Sequence, residues 1–315
     1  MKIVLFLFVI FSSKIGTQAW FPVKNPFQLK IAELKQHSIT DCMDVRSDEG
    51  IYKYTKTIDY NSEKNHSNFI DVSEVADSMR VCGLYLFTDP DKIIEIFIRQ
   101  LDVDCEFGGL VSVFDGWELN GNYFPNQHDH PLNLEQRSNE LCNTWNHYPL
   151  YKSVYRSSQN AALIQYRIPV KGSFTVIVRH LKNPQPCNIL VQPELSPSYY
   201  LSNYGERKNC SISSMFPAKI KLIHFNVGGK QLQHDCDTKA DRLAIEGVME
   251  ANADSPKTLA NICGKSNQML TYSMLCDFST LRLISSGLYQ NRVLLSFDFN
   301  SFDEELVHDT LYCET

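Results

Sequence analysis

Ten cysteines, at positions 42, 82, 105, 142, 187, 210, 236, 263, 276 and 313, constrain this chain of 315 residues more than any other feature. In an oxidising compartment an even count implies disulfides, here five. No pair is spaced C-x-x-C, and the tightest gap, Cys263 to Cys276, is wider than zinc fingers or thiol oxidoreductases use. Structural staples are the remaining reading, each contributing about 2–4 kcal/mol, largely by restricting the unfolded chain. The count alone leaves the pairing open.

The N-terminus supplies the oxidising context. Lys2 precedes an apolar run from Ile3 to Ile10, followed by small and polar residues up to Ala19. This is the pattern of a signal peptide, residues 1–19, cut before Trp20. The run is well short of the ~20 apolar residues that a spanning helix needs. No later segment is long and apolar enough to span, and the C-terminal HDTLYCET carries neither a hydrophobic tail nor a retention signal. The expectation is a secreted, extracellular protein with no membrane insertion.

The mature length fits two domains of ~150 residues, placed at 20–184 and 185–315. The formal net charge is −6, and Lys and Arg are scattered without a basic stripe, so nucleic acid is excluded as the expected partner. A mildly acidic surface favours basic peptides over anionic membranes.

The two halves read alike. CEFGGLVSVFDG sets Val111 and Val113 around Ser112 before an Asp115-Gly116 turn, a half-buried strand with its turn. CDTKADRLAIEG repeats the pattern with Leu243 and Ile245, and Cys142 and Cys263 close the two blocks. RSSQNAALIQYR gives a strand from Ala161 to Ile168, then a Pro169 to Gly172 break, then a strand through Phe174, Val176 and Val178. The expected counterpart of RSSQNAALIQYR is SSGLYQNRVLLSFDF, with Val293, Leu295, Phe297 and Phe299 alternating. Short strands with few helical stretches predict an all-β chain of two sandwiches, the second beginning in the Pro-, Ser- and Tyr-rich stretch after Cys187.

FPNQHDHPL poses a separate question, because His128, Asp129 and His130 are ordinary zinc ligand types. Adjacent residues on an extended segment point to opposite faces, so three in a row rarely share one ion. No G-x-S-x-G, H-E-x-x-H, P-loop or kinase-like set occurs. The chain is expected not to be an enzyme, with no catalytic residues, no metal and no cofactor.

The run of LVSVFDG, SSQN and GSFTV between cysteines resembles a CUB domain, an antiparallel jelly-roll sandwich. That resemblance implies pairing in sequence order: Cys42–Cys82, Cys105–Cys142, Cys187–Cys210, Cys236–Cys263 and Cys276–Cys313. Where CUB domains place calcium-binding acids, this chain has Gly108 or Gly109 and Gln159, and in its second half Asp241 without an acidic partner. A lone carboxylate does not hold a hard cation. VFDGW, FP with DHPL, RSSQN, PCN, NCS and SSG with NRV, together with the cysteine order, are similar to the corticotropin-releasing-factor-binding protein family. His128 is not part of the shared DHPL motif.

The family resemblance implies a secreted glycoprotein that captures amphipathic peptide hormones of the corticotropin-releasing-factor, urocortin and diuretic-hormone type, limits their receptor signalling, and possesses no catalytic chemistry. Such capture needs an apolar surface matched to one helix face. A ligand-linked dimer is a further implied partner state. The family's contact region surrounds the first cysteine, with a basic residue before it and an acid after it. Asp44 matches the acid; the basic position falls at Ser38, with Lys35 and Arg46 nearby. Glycosylation is expected at Asn209, in Asn209-Cys210-Ser211, and at Asn65, in Asn65-His66-Ser67. A cleft between the sandwiches is a natural ligand site. The competing reading is a CUB-type adhesion or carbohydrate-binding protein, since a sandwich alone does not specify its ligand.

Overall fold

A computed structural model describes residues 33–57, 80–119, 121–141, 154–193, 198–229, 236, 240–248, 256–299 and 310–313. The expected signal peptide, Asn65 and Cys142 lie outside these residues. Among the described residues, twelve strands run between Gln36 and Lys182. They are β1 (Gln36–Ser38), β2 (Met43–Arg46), β3 (Gly50–Lys56), β4 (Cys82–Phe87), β5 (Lys92–Val103), β6 (Leu110–Phe114), β7 (Trp117–Leu119), β8 (Asn122–Phe124), β9 (Ser138–Glu140), β10 (Val154–Arg156), β11 (Ala161–Arg167) and β12 (Gly172–Lys182). One sheet has the order β1-β3-β12-β5-β10; the other has the order β2-β4-β11-β6-β9. A four-residue helix, α1 (Leu134–Arg137), begins in a capping box: Gln136 N–H donates to Asn133 Oδ1 and Asn133 N–H donates to Gln136 Oε1.

The second group comprises β13 (Asn188–Val191), β14 (Tyr199–Ser202), β15 (Cys210–Ser214), β16 (Ala218–Val227), β17 (Arg242–Val248), β18 (Lys257–Ile262), β19 (Gly264–Ser266), β20 (Leu270–Met274), β21 (Phe278–Ile284), β22 (Arg292–Asp298) and β23 (Thr310–Leu311). Its sheets have the orders β13-β15-β21-β17-β18 and β14-β22-β16-β20-β23. Both groups belong to one compact unit, Lys35–Thr315.

The two sandwiches share one topology. β13 stands for β2, β15 for β4, β21 for β11, β17 for β6 and β18 for β9; in the opposite sheets β14 stands for β3, β22 for β12, β16 for β5 and β20 for β10. Corresponding parallel pairs, β2 with β4 and β13 with β15, are stapled by Cys42–Cys82 and Cys187–Cys210. Even the bulge repeats. Arg99 on β5 is skipped between Thr175 and Val176, and Ile223 on β16 is skipped between its neighbours Leu222 and His224. The equivalence of RSSQNAALIQYR with SSGLYQNRVLLSFDF does not hold: the first enters β11, whereas the second enters β22, the counterpart of β12. Shared Ser-Ser and Asn turn chemistry suited two different loops, because turn residues report local geometry and not position in a topology.

Alternation fills each core. Tyr52, Leu84, Ile96, Val113, Ile164 and Val176 meet between the first pair of sheets, and Ile212, Leu222, Phe225, Ile245, Leu281 and Leu295 between the second. Burying each such side chain contributes about 1.5–3 kcal/mol. β6 departs from the half-buried expectation, because Ser112 is also buried and bonds Ser138 across the covered outer face (2.9 Å). Further disulfides join Cys236–Cys263 and Cys276–Cys313. The latter lies against Gly247, where a Cβ would stand 2.4 Å from Cys313 Sγ. Cys105 is disulfide-bonded, but the pairing expected for it involves Cys142, outside the described residues. Among the described residues no helix is long and apolar enough to cross a membrane.

Candidate functional site

β2 is an edge strand whose pattern is inverted. Met43 and Val45 point outward and are 58% and 48% exposed, whereas Asp44, in register with core residue Leu84, is 5% exposed. The buried carboxylate is fully engaged. Arg46 Nη2 donates to Asp44 Oδ2 (3.0 Å), and Arg46 Nε lies 2.6 Å from Oδ1. The bond and charge of Asp44 hold the Arg46 guanidinium above its ordinary value against the opposing effect of desolvation. Arg46 keeps a third of its side chain in solvent, so it and not Asp44 presents charge at this edge. Ser38, the expected basic position, is exposed and pairs in register with exposed Lys53; Lys35 is exposed on the same approach.

The surroundings make this edge rigid and apolar. Cys42–Cys82 ties β2 to β4, and Val81, just before that strand, is 48% exposed. Tyr166 hydroxyl donates to the Asp41 carbonyl (3.3 Å) from beneath. Outward-facing Gly83 opposes Met43, and a Cβ there would meet the Tyr85 ring at 2.6 Å. The rest of this outer face is covered. The β7–β8 hairpin lays Trp117 and Phe124 over Tyr85, Phe87, Phe114 and Leu163, and Trp117 Nε1 donates to the Leu86 carbonyl (2.8 Å). Met43, Val45 and Val81 are thus an uncovered margin of an otherwise sealed surface.

FPNQHDHPL has a different role from the one its residue types suggest. Leu132 N–H donates to His130 Nδ1 (3.0 Å), so Nε2 carries the proton and donates to Asp115 Oδ2 (3.0 Å). Ser158 N–H and Gln159 Nε2 both donate to Asp115 Oδ1 (2.8 Å each). Burial alone would raise the Asp115 carboxyl; bonds from His130 and Ser158 outweigh it and lower it. Arg137 sits at 1% exposure and bonds the carbonyls of Asp115, Pro125 and Phe124. Gly116 is obligatory in this frame: its φ is +113°, and a Cβ would fall 2.0 Å from the Phe124 carbonyl oxygen.

Asp129 faces the second sandwich. Arg282 on β21 donates from Nε to Oδ1 (2.7 Å) and from Nη2 to Oδ2 (3.1 Å), while its Nη1 donates to Glu246 on β17 (2.8 Å). Asn188 Nδ2 donates to the Asp129 carbonyl (3.0 Å), and Asn160 exchanges bonds with the backbone of Leu190. Leu190 is buried among Tyr85, Phe87, Ala161 and Leu163. The junction, where a ligand cleft is expected, is packed at these contacts. Two concave surfaces lie at sandwich ends, one of about 840 Å³ beside Phe107 and Val170, another of about 690 Å³ beside Arg207, Lys208 and Arg242.

One guanidinium serves two carboxylates here, and this sets a pH dependence. Burial, reinforced by Asp129, pushes Glu246 above its ordinary 4.5 despite Arg282. A raised acid contributes stability that is present below 4.5 and is lost as pH rises through the folded value. Glu246→Gln is therefore expected to raise the thermal midpoint at neutral pH, with the advantage vanishing below 4.5. Thermal scans of both proteins across that range check it; an equal advantage at all pH values would contradict the assignment.

The calcium positions are occupied by other chemistry. Asp241 accepts from Ser286 N–H and Asn291 Nδ2 (2.8 Å each), so its oxygens are engaged within the SSGLYQN loop. Among the described residues no three His, Cys, Asp or Glu side chains group closely enough to hold a metal ion. Asn209 is half-buried just before β15.

Comparison with known proteins supplies independent information. Residues 68–182 match the family model for the corticotropin-releasing factor binding protein N-terminal domain, and residues 190–307 match that for its C-terminal domain. The Xenopus laevis corticotropin-releasing factor-binding protein is 30% identical over 233 residues, covering 71% of this chain and 70% of the relative. The Homo sapiens protein of the same name is 30% identical over 223 residues, covering 69% and 68%. Among solved structures, the CUB1-EGF-CUB2 domains of rat MASP-1 align over 83% of this chain and 100% of that one, at 9% identity and a TM-score of 0.23. The N-terminal family match begins after β2, so Asp44 and its neighbours fall before it.

Proposed function

Because the chain belongs to the corticotropin-releasing factor-binding protein family, we propose that it is secreted and captures an amphipathic, helical peptide hormone of the corticotropin-releasing-factor, urocortin or diuretic-hormone type, lowering the free hormone available to receptors. The uncovered margin at β2 is the observation that carries the site: Met43, Val45 and Val81 exposed beside the Asp44–Arg46 pair. Side chains two apart on a strand stand about 6.6 Å apart, close to the roughly 6 Å between helix positions i and i+4. An apolar helix stripe can therefore seat on Met43 and Val45, with an acidic residue reaching round the free edge of β2 to Arg46. The disulfide-held strand loses little freedom on binding.

Calorimetric titration with a synthetic peptide of this class tests the reading, with and without chelator. Calcium-independent heat supports capture; absence of heat at micromolar peptide sinks it. Met43→Glu with Val45→Glu, at exposed positions, should weaken binding at least tenfold, about 1.4 kcal/mol, without lowering the thermal midpoint. Asp44 acts on this reading as a positioning residue for Arg46. Asp44→Ala and Arg46→Ala should each weaken binding by a similar factor and combine with no further loss, whereas additive losses would give Asp44 a contact of its own.

A further inference from the structure

Asn209-Cys210-Ser211 occupies a part of the fold that cannot serve as a glycosylation acceptor once formed. Cys210 is fully buried and bonded to Cys187. Ser211 is 1% exposed; its Oγ donates to Asn188 Oδ1 (3.0 Å), and its N–H donates to the Cys187 carbonyl (2.9 Å). β15, which these residues begin, is paired on both sides, with β13 and with β21. Glycan transfer requires the sequon in an accessible, extended loop with its hydroxyl available to the enzyme. Here the hydroxyl is inside a sheet, and the middle residue is half of a staple.

We infer that Asn209 is modified only on the unfolded chain, so that its occupancy is decided by a race between glycan transfer and closure of Cys187–Cys210. In transfer, the Asn209 amide nitrogen bonds the anomeric carbon of a lipid-linked oligosaccharide. The sugar–phosphate bond breaks, the lipid diphosphate leaves, and a base takes the amide proton. In closure, the two thiols give two protons and two electrons to a disulfide-bearing oxidoreductase, which is reduced to its dithiol. The partners are only 23 residues apart, so closure is local and needs no other part of the fold. Reopening requires loss of both β15 ladders, a sub-global unfolding event. The inference rests on the secretory reading above.

The chain itself carries the control, since Asn65-His66-Ser67 contains no cysteine. In secretory cells, site occupancy is read by mass spectrometry, with and without a pulse of reductant during synthesis, and in Cys187→Ser. Occupancy of Asn209 should rise severalfold in both arms while that of Asn65 stays constant. Purified unglycosylated chain, offered to the transferring enzyme with its lipid-linked donor, should be modified when reduced and left bare when oxidised. If Asn65 is occupied and Asn209 responds to neither arm, or the oxidised chain is modified as fast as the reduced one, the race is overturned. If both sequons stay bare in every arm, the failure lies in the secretory premise.

Discussion

Arg282→Ala is expected to cost roughly 3–5 kcal/mol, the penalty for removing one partner of a buried ion pair. The side chain of Asp129 is fully buried and that of Glu246 is 8% exposed, so both carboxylates lose their cation in a site with little access to water. A folded domain has only about 5–15 kcal/mol in hand, and the thermal midpoint should fall by on the order of 10 °C. The direction does not depend on the triad being stabilising in itself. Burying three charges is expensive, and their mutual attraction offsets that cost only through good geometry, which the bidentate Arg282–Asp129 contact has. Two results separate these contributions. Asp129→Asn with Glu246→Gln and Arg282→Met removes every charge and should recover most of the loss. Asp129→Ala alone should cost less than Arg282→Ala, because Glu246 keeps its partner. A loss under about 1 kcal/mol for Arg282→Ala would mean that the junction is solvated and the pair is an ordinary surface bridge.

What the sequence discloses and what it hides divides along range. Strands β6, β11, β12 and β17 are legible because alternation and turn residues are local, and the Asp115-Gly116 turn follows from a steric requirement met only by glycine. The repeated topology is legible in the cysteine-bounded blocks, but the loop correspondence is not, since two Ser-Ser turns look alike wherever they stand. Asp129 is opaque for another reason: its partner lies 153 residues away, and nothing near either residue points to the other. Residue types alone say only that His128, Asp129 and His130 are an improbable metal triplet, and nothing of their roles; in the fold His130 holds a turn, Asp129 holds a neighbouring sandwich and His128 stays in solvent. β2 did carry a readable signal. Its alternation of Met43 and Val45 with Asp44 and Arg46 fits an edge strand with inward charges, which resists pairing with other chains and leaves the apolar side chains outside. Asp44 and Arg46 share the inward face, and of the two only Arg46 extends far enough to keep part of its side chain in solvent.

Arg137→Met should be about as damaging as Arg282→Ala, at roughly 3–5 kcal/mol, for a different reason. Methionine keeps the apolar stem, so the packing over Phe114, where the guanidinium stands 4.6 Å from the ring centroid, is largely replaced. What it cannot replace are donors. The carbonyls of Asp115, Phe124 and Pro125 accept from Arg137 at 2.9, 2.9 and 2.8 Å, and each buried acceptor left without a partner costs about 1–3 kcal/mol. Burial pushes the guanidinium down to about 10, so it remains charged at neutral pH and its bonds are charge-assisted. Arg137→Lys keeps charge but concentrates its donors on one nitrogen, which cannot span three carbonyls set around a planar fork, so its loss should fall between wild type and Met. The same carbonyls frame the turn that carries Asp129 to Arg282, so Arg137→Met should also loosen the junction. Arg137→Met with Arg282→Ala is accordingly expected to cost less than the sum of the two, read by denaturant unfolding of all four proteins. Strict additivity would mean that the FPNQHDHPL loop holds its position without Arg137, and that the guanidinium serves the β7–β8 hairpin alone.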